Sequence, residues 1–528
     1  MSSTNDEPPL PRQTASGVTL RFHGVDFYPG NDPEQYARRK ARVFSPLPRS
    51  LVFVPSVGLG YGLADLLQAL PADAAILCVE AFPEVMAGAL AAVPRDPRLC
   101  VVRTQDPEAA AVALRRLGTG RFRRVMEIPL CAGYRTAPEV YSGIRTRLEQ
   151  EIARHWQNRL TMIAMGSLQV RNLLSNLGEL PDAADFSRLA TDLPVVVAGA
   201  GPSLAASLPL LCRLRERFAL VAVDTALATL HGAGIVPDLV VAVEAQAVNN
   251  KDFIPRPAGA VRLACDLSVH PSAARLFPGR AFFFSSEFAP LRLWDRLDGQ
   301  GLRPFPFPAL GSVGVAAVHA AVRLGPGPVV LTGLDFSFPR KQTHARGSPF
   351  SVAALAACAR LLPPGQDAFQ ALAARRLISR TDKQGQPVLT DRVLSSYRDS
   401  LESEVQHFPG RFFDCGVTGL PLGAKTVSEE EVAALLPSAP PAGERIRVRE
   451  GQEFTGTALR PFLSGERARL ADFLRDPDGS RLADIDYTWA HFPDEPDLSS
   501  PGPGFLARAR VAALYYDERL RRIEEARG

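Results

Sequence analysis

One loop gathers the residue types that acid–base chemistry needs. In "LTGLDFSFPRKQTHARGS", an apolar run ends at Gly333 and Asp335, and His344 follows among Arg340, Lys341 and Arg346. An imidazole has the unperturbed pKa to accept a proton near neutral pH. Clustered cations neutralise a departing phosphate. The pattern therefore names His344 and Asp335 as catalytic candidates, with Lys341 as a substrate contact. A solvated basic loop would carry the same letters.

A second constellation lies upstream. "VVVAGAGPSL" runs valines into Gly199, Gly201, Pro202 and Ser203 and then into a helical stretch. A glycine bend at a strand-to-helix junction presents unpaired N–H groups and a positive dipole end, which suits a phosphate. Proline suits the first helical turn, where its missing N–H is no loss. Leu204 stands where the dinucleotide fingerprint has its third glycine, which argues against NAD or FAD. A plain tight turn is the other reading of this bend. Asp224 closes the next apolar run, placed either to bond sugar hydroxyls or to cap the helix beginning at "TALATL". Glu244 and Gln246 end "LVVAVEAQ" and are candidate ligand contacts. Gly311 and Ser312 open "GSVGVAAVHAAVRLG", a second glycine–serine helix entry suited to an anion; His319, inside it, reads as packing.

The elements that must position these residues follow from periodicity. Apolar runs at 51–57, 74–81, 98–105 and 124–130, each followed by a helical stretch, predict parallel strands of a first Rossmann-like domain. A proline-free helical segment spans roughly 138–180. The strand pattern then resumes at 194–201, 219–226, 239–246, 261–268, 280–287 and 328–335. The expected fold is α/β: two doubly wound, mainly parallel Rossmann-like domains and a mostly helical C-terminal region. The expected boundaries are a disordered lead-in at 1–17, an N-terminal domain at 18–137, a connector at 138–185, a central domain at 186–348 and a helical region at 349–528. In the first domain, "GLGYG" and Glu80 repeat the glycine-turn-then-acid pattern faintly.

Composition narrows the class. Of 528 residues, 46% are hydrophobic and 22% charged, with a net charge of +4. This is a soluble globular balance with no basic stripe for nucleic acid. Seven scattered cysteines with no CxxC pair read as small buried hydrophobes, not as a disulfide or zinc framework. No run approaches the ~18 apolar residues of a membrane span. The polar, proline-rich N-terminus lacks the character of a signal peptide. A cytoplasmic protein is expected.

Taken in order, "VVVAGAGPSL", "GIVPDLVVAVEAQ", "GSVGVAAVHAAVRLGPGPVVLTGLDFSF" and the "THARGS" loop resemble the motility-associated factor (Maf) glycosyltransferases, whose central domain is MptE-like. "TDKQGQPVLTDRVLSSYRDSLE", "FFDCGVTGLPLGAKTV" and the N-terminal "GLGYGLADLL" extend the resemblance over most of the chain. It implies transfer of a nonulosonic acid, from a CMP-activated donor, to serine or threonine of flagellin. CMP would lie at Gly199, Gly201 and Ser203, beside Asp224, with His344 as general base. No metal or other cofactor is implied. Phe336 and Phe338 stand where the related sialyltransferases place tyrosines, and Glu244 where family members often have aspartate. Other readings are an MptE-like 6-hydroxymethyl-dihydropterin diphosphokinase using ATP and magnesium, with Asp224, Glu244 or Asp335 as ligands; an S-adenosylmethionine site at "GLGYG" and Glu80; and a non-catalytic flagellin-binding accessory protein.

Overall fold

The computed structural model describes residues 8–89, 93–254, 259–363, 365–439, 443–494 and 498–527. The chain forms two units, Met1–Thr161 and Met162–Gly528. Their boundary falls within one 40-residue helix, Pro138–Leu177, at the place where a connector was expected.

The first unit opens with three antiparallel strands, β1 (Leu10–Thr14), β2 (Gly17–Phe22) and β3 (Val25–Asp26). Residues 10–14 therefore pair with β2 and are not a disordered lead-in. The four expected parallel strands follow: β4 (Ser50–Pro55), β5 (Ala75–Glu80), β6 (Leu99–Arg103) and β7 (Arg124–Glu127), in the order β6-β5-β4-β7. Every residue of β4 and β5 is buried, which is why those segments read as continuous apolar runs. Tyr141, Ile144, Leu148 and Ile152, one face of the long helix at helical spacing, pack with Leu51, Phe53 and Leu77.

The second unit is built on ten strands. β8 (Ala184–Asp185), β10 (Val195–Ala198), β11 (Ala219–Val223), β12 (Leu239–Ala242), β13 (Arg262–Asp266), β14 (Ala281–Ser286), β15 (Phe305–Phe307) and β16 (Val329–Thr332) are joined by β19 (Phe412–Asp414) and β20 (Lys425–Thr426). The order is β15-β14-β13-β12-β11-β10-β16-β19-β20, with β8 beside β14 and every pairing parallel. The two-residue β9 (Leu189–Ala190) pairs outside this sheet. In the last turns of the long helix, the Asn172 amide donates to the carbonyls of Ala245 and Ser268. The Asn176 amide donates to those of Leu267 and Val269, so the loops leaving β12 and β13 are tied to one helix.

The sheet does not close at residue 348. β19 pairs with β16 in the register Val329↔Phe412 to Leu331↔Asp414, and β20 continues it. A hairpin of β17 (Ile378–Thr381) and β18 (Pro387–Thr390) precedes them. The region expected to be mostly helical thus supplies both helices, such as Gly456–Arg475 and Pro503–Arg527, and two strands of the central sheet. The hairpin turn sends Lys383 inward, where its Nζ lies 2.6 Å from Asp414 Oδ2; both side chains are buried.

Candidate functional site

Chain order reverses between β10 and β16. From β10 the strands step one way to β15, and β16 returns to the other side of β10. Ligands of open α/β sheets bind at such a switch point, beyond the carboxyl ends of the strands. The two outgoing loops are the glycine bend and the segment running from Gly333 to Asp335.

Those loops are laced together. Gly199 N–H donates to Thr332 O (2.8 Å), Gly201 N–H to Gly333 O (2.8 Å) and Leu204 N–H to Gly201 O (3.1 Å). Ser203 N–H donates to Asp335 Oδ2 at 2.9 Å. The bend expected to receive a phosphate has these donors engaged, and a carboxylate of the chain itself lies at the start of the helix Leu204–Leu214. The glycines have another reason. A Cβ on Gly199 would collide with the Gly333 carbonyl, and one on Gly201 with the Asp335 carboxylate. Asp335 Oδ1 also accepts from Thr418 Oγ1 (3.2 Å), and its main-chain carbonyl accepts from Leu420 N–H. Burial pushes its carboxyl up, against the Ser203 N–H and the Lys383 charge. Both oxygens of Asp335, a catalytic candidate from sequence, are thus hydrogen-bonded within the chain.

The open space lies beside this join. A cavity of about 170 Å³ is lined by Gly199–Gly201, Gly333–Ser337, Ser312–Gly314, Thr343 and His344, with Val223, Thr225 and Leu394 completing it. It is smaller than the ~300–1,000 Å³ of a pocket enclosing a whole ligand. One wall is the start of the helix Val313–Leu324. Ser312 enters it in extended conformation and its side chain makes no capping bond. Uncapped first-turn N–H groups at a cavity wall are anion donors. The chemistry expected of the first glycine bend is thus available at the second.

His344 faces the same cavity. Nδ1 is 3.2 Å from Thr343 Oγ1, and the ring lies 5.4 Å from that of Phe350. Burial, followed by the Arg375 and Lys251 charges, lowers its pKa below the ordinary 6.5, which favours the neutral imidazole. The preceding loop is bent: Phe336 has φ 47°, a left-handed conformation disfavoured for a bulky residue. It is held there by Thr390 Oγ1 donating to Phe336 O (2.8 Å) and by Phe338 N–H donating to Leu389 O.

Of the residues singled out from sequence, Gly199, Gly201, Ser312, Gly333, Asp335 and His344 meet at this cavity. Pro202, Ser203, Asp224, Gly311, Glu244, Gln246 and Lys341 are not among its lining residues. Asp224 is buried beside it; Oδ1 accepts from Thr225 N–H (2.7 Å) and Oγ1 (3.1 Å), while Oδ2 has no partner. Burial, then the charges of Asp252 and Glu244, push its carboxyl up to about 7. Glu244 and Gln246 are exposed beyond β12, and Lys341 is exposed on its loop. His319 is buried with Nδ1 2.7 Å from Glu404 Oε1, as packing requires. Sequence reading missed Thr225, Lys251, Asp252, Arg375 and Tyr397. The Tyr397 ring packs at Gly311, where a Cβ would stand 3.1 Å from its Cε1. The one local signal for it was the capping pair "TD" at Thr390 and Asp391 before its helix, Arg392–His407.

The "GLGYG" turn of the first unit is filled from within. Glu80 accepts from Ser56 Oγ (2.8 Å), Val57 N–H (3.0 Å), Phe82 N–H (3.2 Å) and Tyr141 OH (3.1 Å). Leu59 N–H donates to the Tyr28 hydroxyl, which occupies the space beside Gly58. Glycine turn and acid are both committed to packing, which removes the basis for an S-adenosylmethionine site there.

Residues 171–341 match the family model described as 6-hydroxymethylpterin diphosphokinase MptE-like. The chain carries an MptE-like domain. That match ends at Lys341, so His344 and the strands β19 and β20 lie beyond it. The structure of a Maf glycosyltransferase from Magnetospirillum magneticum AMB-1 superposes with a TM-score of 0.55 at 15% identity, covering 99% of this chain and 89% of that one. The MptE-like domain and its flanking regions therefore share the Maf glycosyltransferase fold. An uncharacterized protein of Treponema pallidum (strain Nichols) is 29% identical over 351 residues, 65% of this chain; the match spans 61% of that relative's length. Among the described residues no helix is long and apolar enough to cross a membrane.

Proposed function

We propose that the chain is a glycosyltransferase that moves a nonulosonic acid from a CMP-activated donor to serine or threonine of flagellin in the cytoplasm. The observation that carries this reading is that His344 and an uncapped helix start line one cavity at the switch point. The Maf fold supports the reaction class.

In this mechanism the donor phosphate rests on the first-turn N–H groups at Ser312–Gly314. The acceptor hydroxyl approaches His344, and its oxygen attacks the anomeric carbon while its proton passes to Nε2 of the imidazole. The bond from that carbon to the phosphate oxygen breaks, and CMP leaves with the electron pair. Lys251 and Arg375, the charges felt at His344, oppose the negative charge gathering on the leaving group. CMP is a good leaving group, so the reading requires no metal ion.

The family model favours a second reading, an MptE-like diphosphokinase using ATP and magnesium. That chemistry asks Asp224, Glu244 or Asp335 to hold the cation. Among the described residues no three His, Cys, Asp or Glu side chains form a group able to hold a metal ion. Calorimetric titration with CMP and with ATP, each with and without magnesium, separates the readings. CMP binding indifferent to magnesium is expected. Magnesium-dependent ATP binding without CMP binding would replace the first reading by the second. Silence towards both would favour a non-catalytic flagellin-binding protein.

A further inference from the structure

The chain just past His344 is built unlike the rest of the second unit. The helix Pro349–Ala356, "PFSVAALA", is apolar at every position but Ser351, yet none of its residues is buried. A turn and a second helix, Gln366–Ala373, follow, and only Leu372 of that helix is buried. Between Val352 and Phe369, five large apolar side chains face solvent: Val352, Leu355, Leu361, Leu362 and Phe369, with Leu361 86% and Phe369 66% exposed. Scattered exposed apolar residues are ordinary, but a concentration of them marks a surface made for a partner.

The first helix is rooted at the cavity, and the second is followed by a residue tied to the neighbouring loop and helix. Phe350 packs its ring on His344. Arg375, just after the second helix, lies over the Phe338 ring and pairs with Asp391, which caps the helix bringing Leu394 to the cavity. The charge on this face selects the occupant. From 349 to 376 the sequence holds Arg360, Arg375 and Arg376 against the single acid Asp367, and Arg360 and Arg376 have no acidic partner among the described residues. A second copy joined through the same face would set these arginines against each other. A partner with an apolar stripe and acidic flanks would not meet that repulsion.

We infer that residues 349–376 are the docking surface for the acceptor protein, which presents an amphipathic segment with acidic flanks and so delivers its hydroxyl to His344. This rests on the reading that the acceptor is a protein, and the probe is purified monomeric flagellin. Binding of flagellin to the full chain is measured by biolayer interferometry, alongside CMP binding by calorimetry and the melting midpoint. The variant Leu355→Ser/Leu361→Ser/Phe369→Ser is expected to bind flagellin at least tenfold more weakly, with CMP affinity and melting unchanged. Arg360→Glu/Arg376→Glu is expected to act in the same direction, and added salt to weaken the wild-type complex. Equal binding by wild type and variants, or no binding by wild type, would overturn the inference even where CMP binds. Conversion of a wild-type dimer to monomer by the serine variant, with flagellin binding intact, would reassign the face to a second copy and overturn it. Protection of 349–373 from hydrogen exchange by CMP alone would assign the face to the chain's own pocket, with the same consequence. Patch-dependent flagellin binding without CMP binding would leave the docking surface standing and sink the donor assignment instead.

Discussion

As the proposed base, His344 must meet two opposing demands, being unprotonated at working pH and yet close to charged groups. Burial and two neighbouring cations meet the first by depressing its pKa. The expected kcat/KM profile is therefore flat through neutrality and falls only as pH drops below the ordinary 6.5 of histidine. His344→Gln should cut transfer by ~10²–10⁴-fold and abolish that acid limb; a limb that persists in the variant assigns the titration elsewhere. The sign for stability is the same. A histidine with a depressed folded-state pKa takes its proton more readily when unfolded, so stability declines as pH falls through the unfolded value. The histidine was legible because a basic loop after the last strand is a local feature. Asp335 was legible as a residue at the ligand edge, but not its bond to Ser203, which lies 132 positions away.

At the scale of elements, the two glycine–serine helix entries look alike in sequence and differ in what the fold gives them. "GAGPSL" meets the β16 loop, and its Gly199, Gly201, Ser203 and Leu204 N–H groups are engaged; Ser312–Gly314 of "GSVG" meet the cavity. Gly314→Val, whose side chain would press on Leu334 at the cavity wall, is expected to weaken CMP binding at least tenfold, while Ser203→Ala should leave CMP affinity nearly unchanged. Equal losses in calorimetry would return the phosphate to the first bend. The strands of both parallel sheets were readable wherever burial on both faces made an apolar run, as in β4, β5 and β10. The three residues of β19, in "RFFDCGV", were not. A strand that short shows no period, and its place is set by β16 and by the Lys383–Asp414 pair.

For the whole molecule, that pair is a fastening between the C-terminal segments and the sheet. Lys383→Met leaves Asp414 buried without its counter-ion and is expected to destabilise the second unit by ~3–5 kcal/mol, measured by denaturant unfolding. The double variant Lys383→Met/Asp414→Leu should recover much of that loss, since a buried ion pair replaced by apolar groups is often neutral. A double variant as unstable as the single one would mean that the charge pair is not the source of the effect.

The place of β19 beside β16 also has a consequence during synthesis. β16 ends at Thr332 and its neighbour begins at Phe412, 80 residues later by subtraction. At ~5–20 residues per second, the ribosome takes roughly 4–16 s to deliver the missing neighbour. Throughout that interval the nascent sheet carries an unpaired edge at β16, open to the wrong strand. Release of a chain stopped before residue 412 should therefore yield aggregate, however complete the MptE-like domain within it.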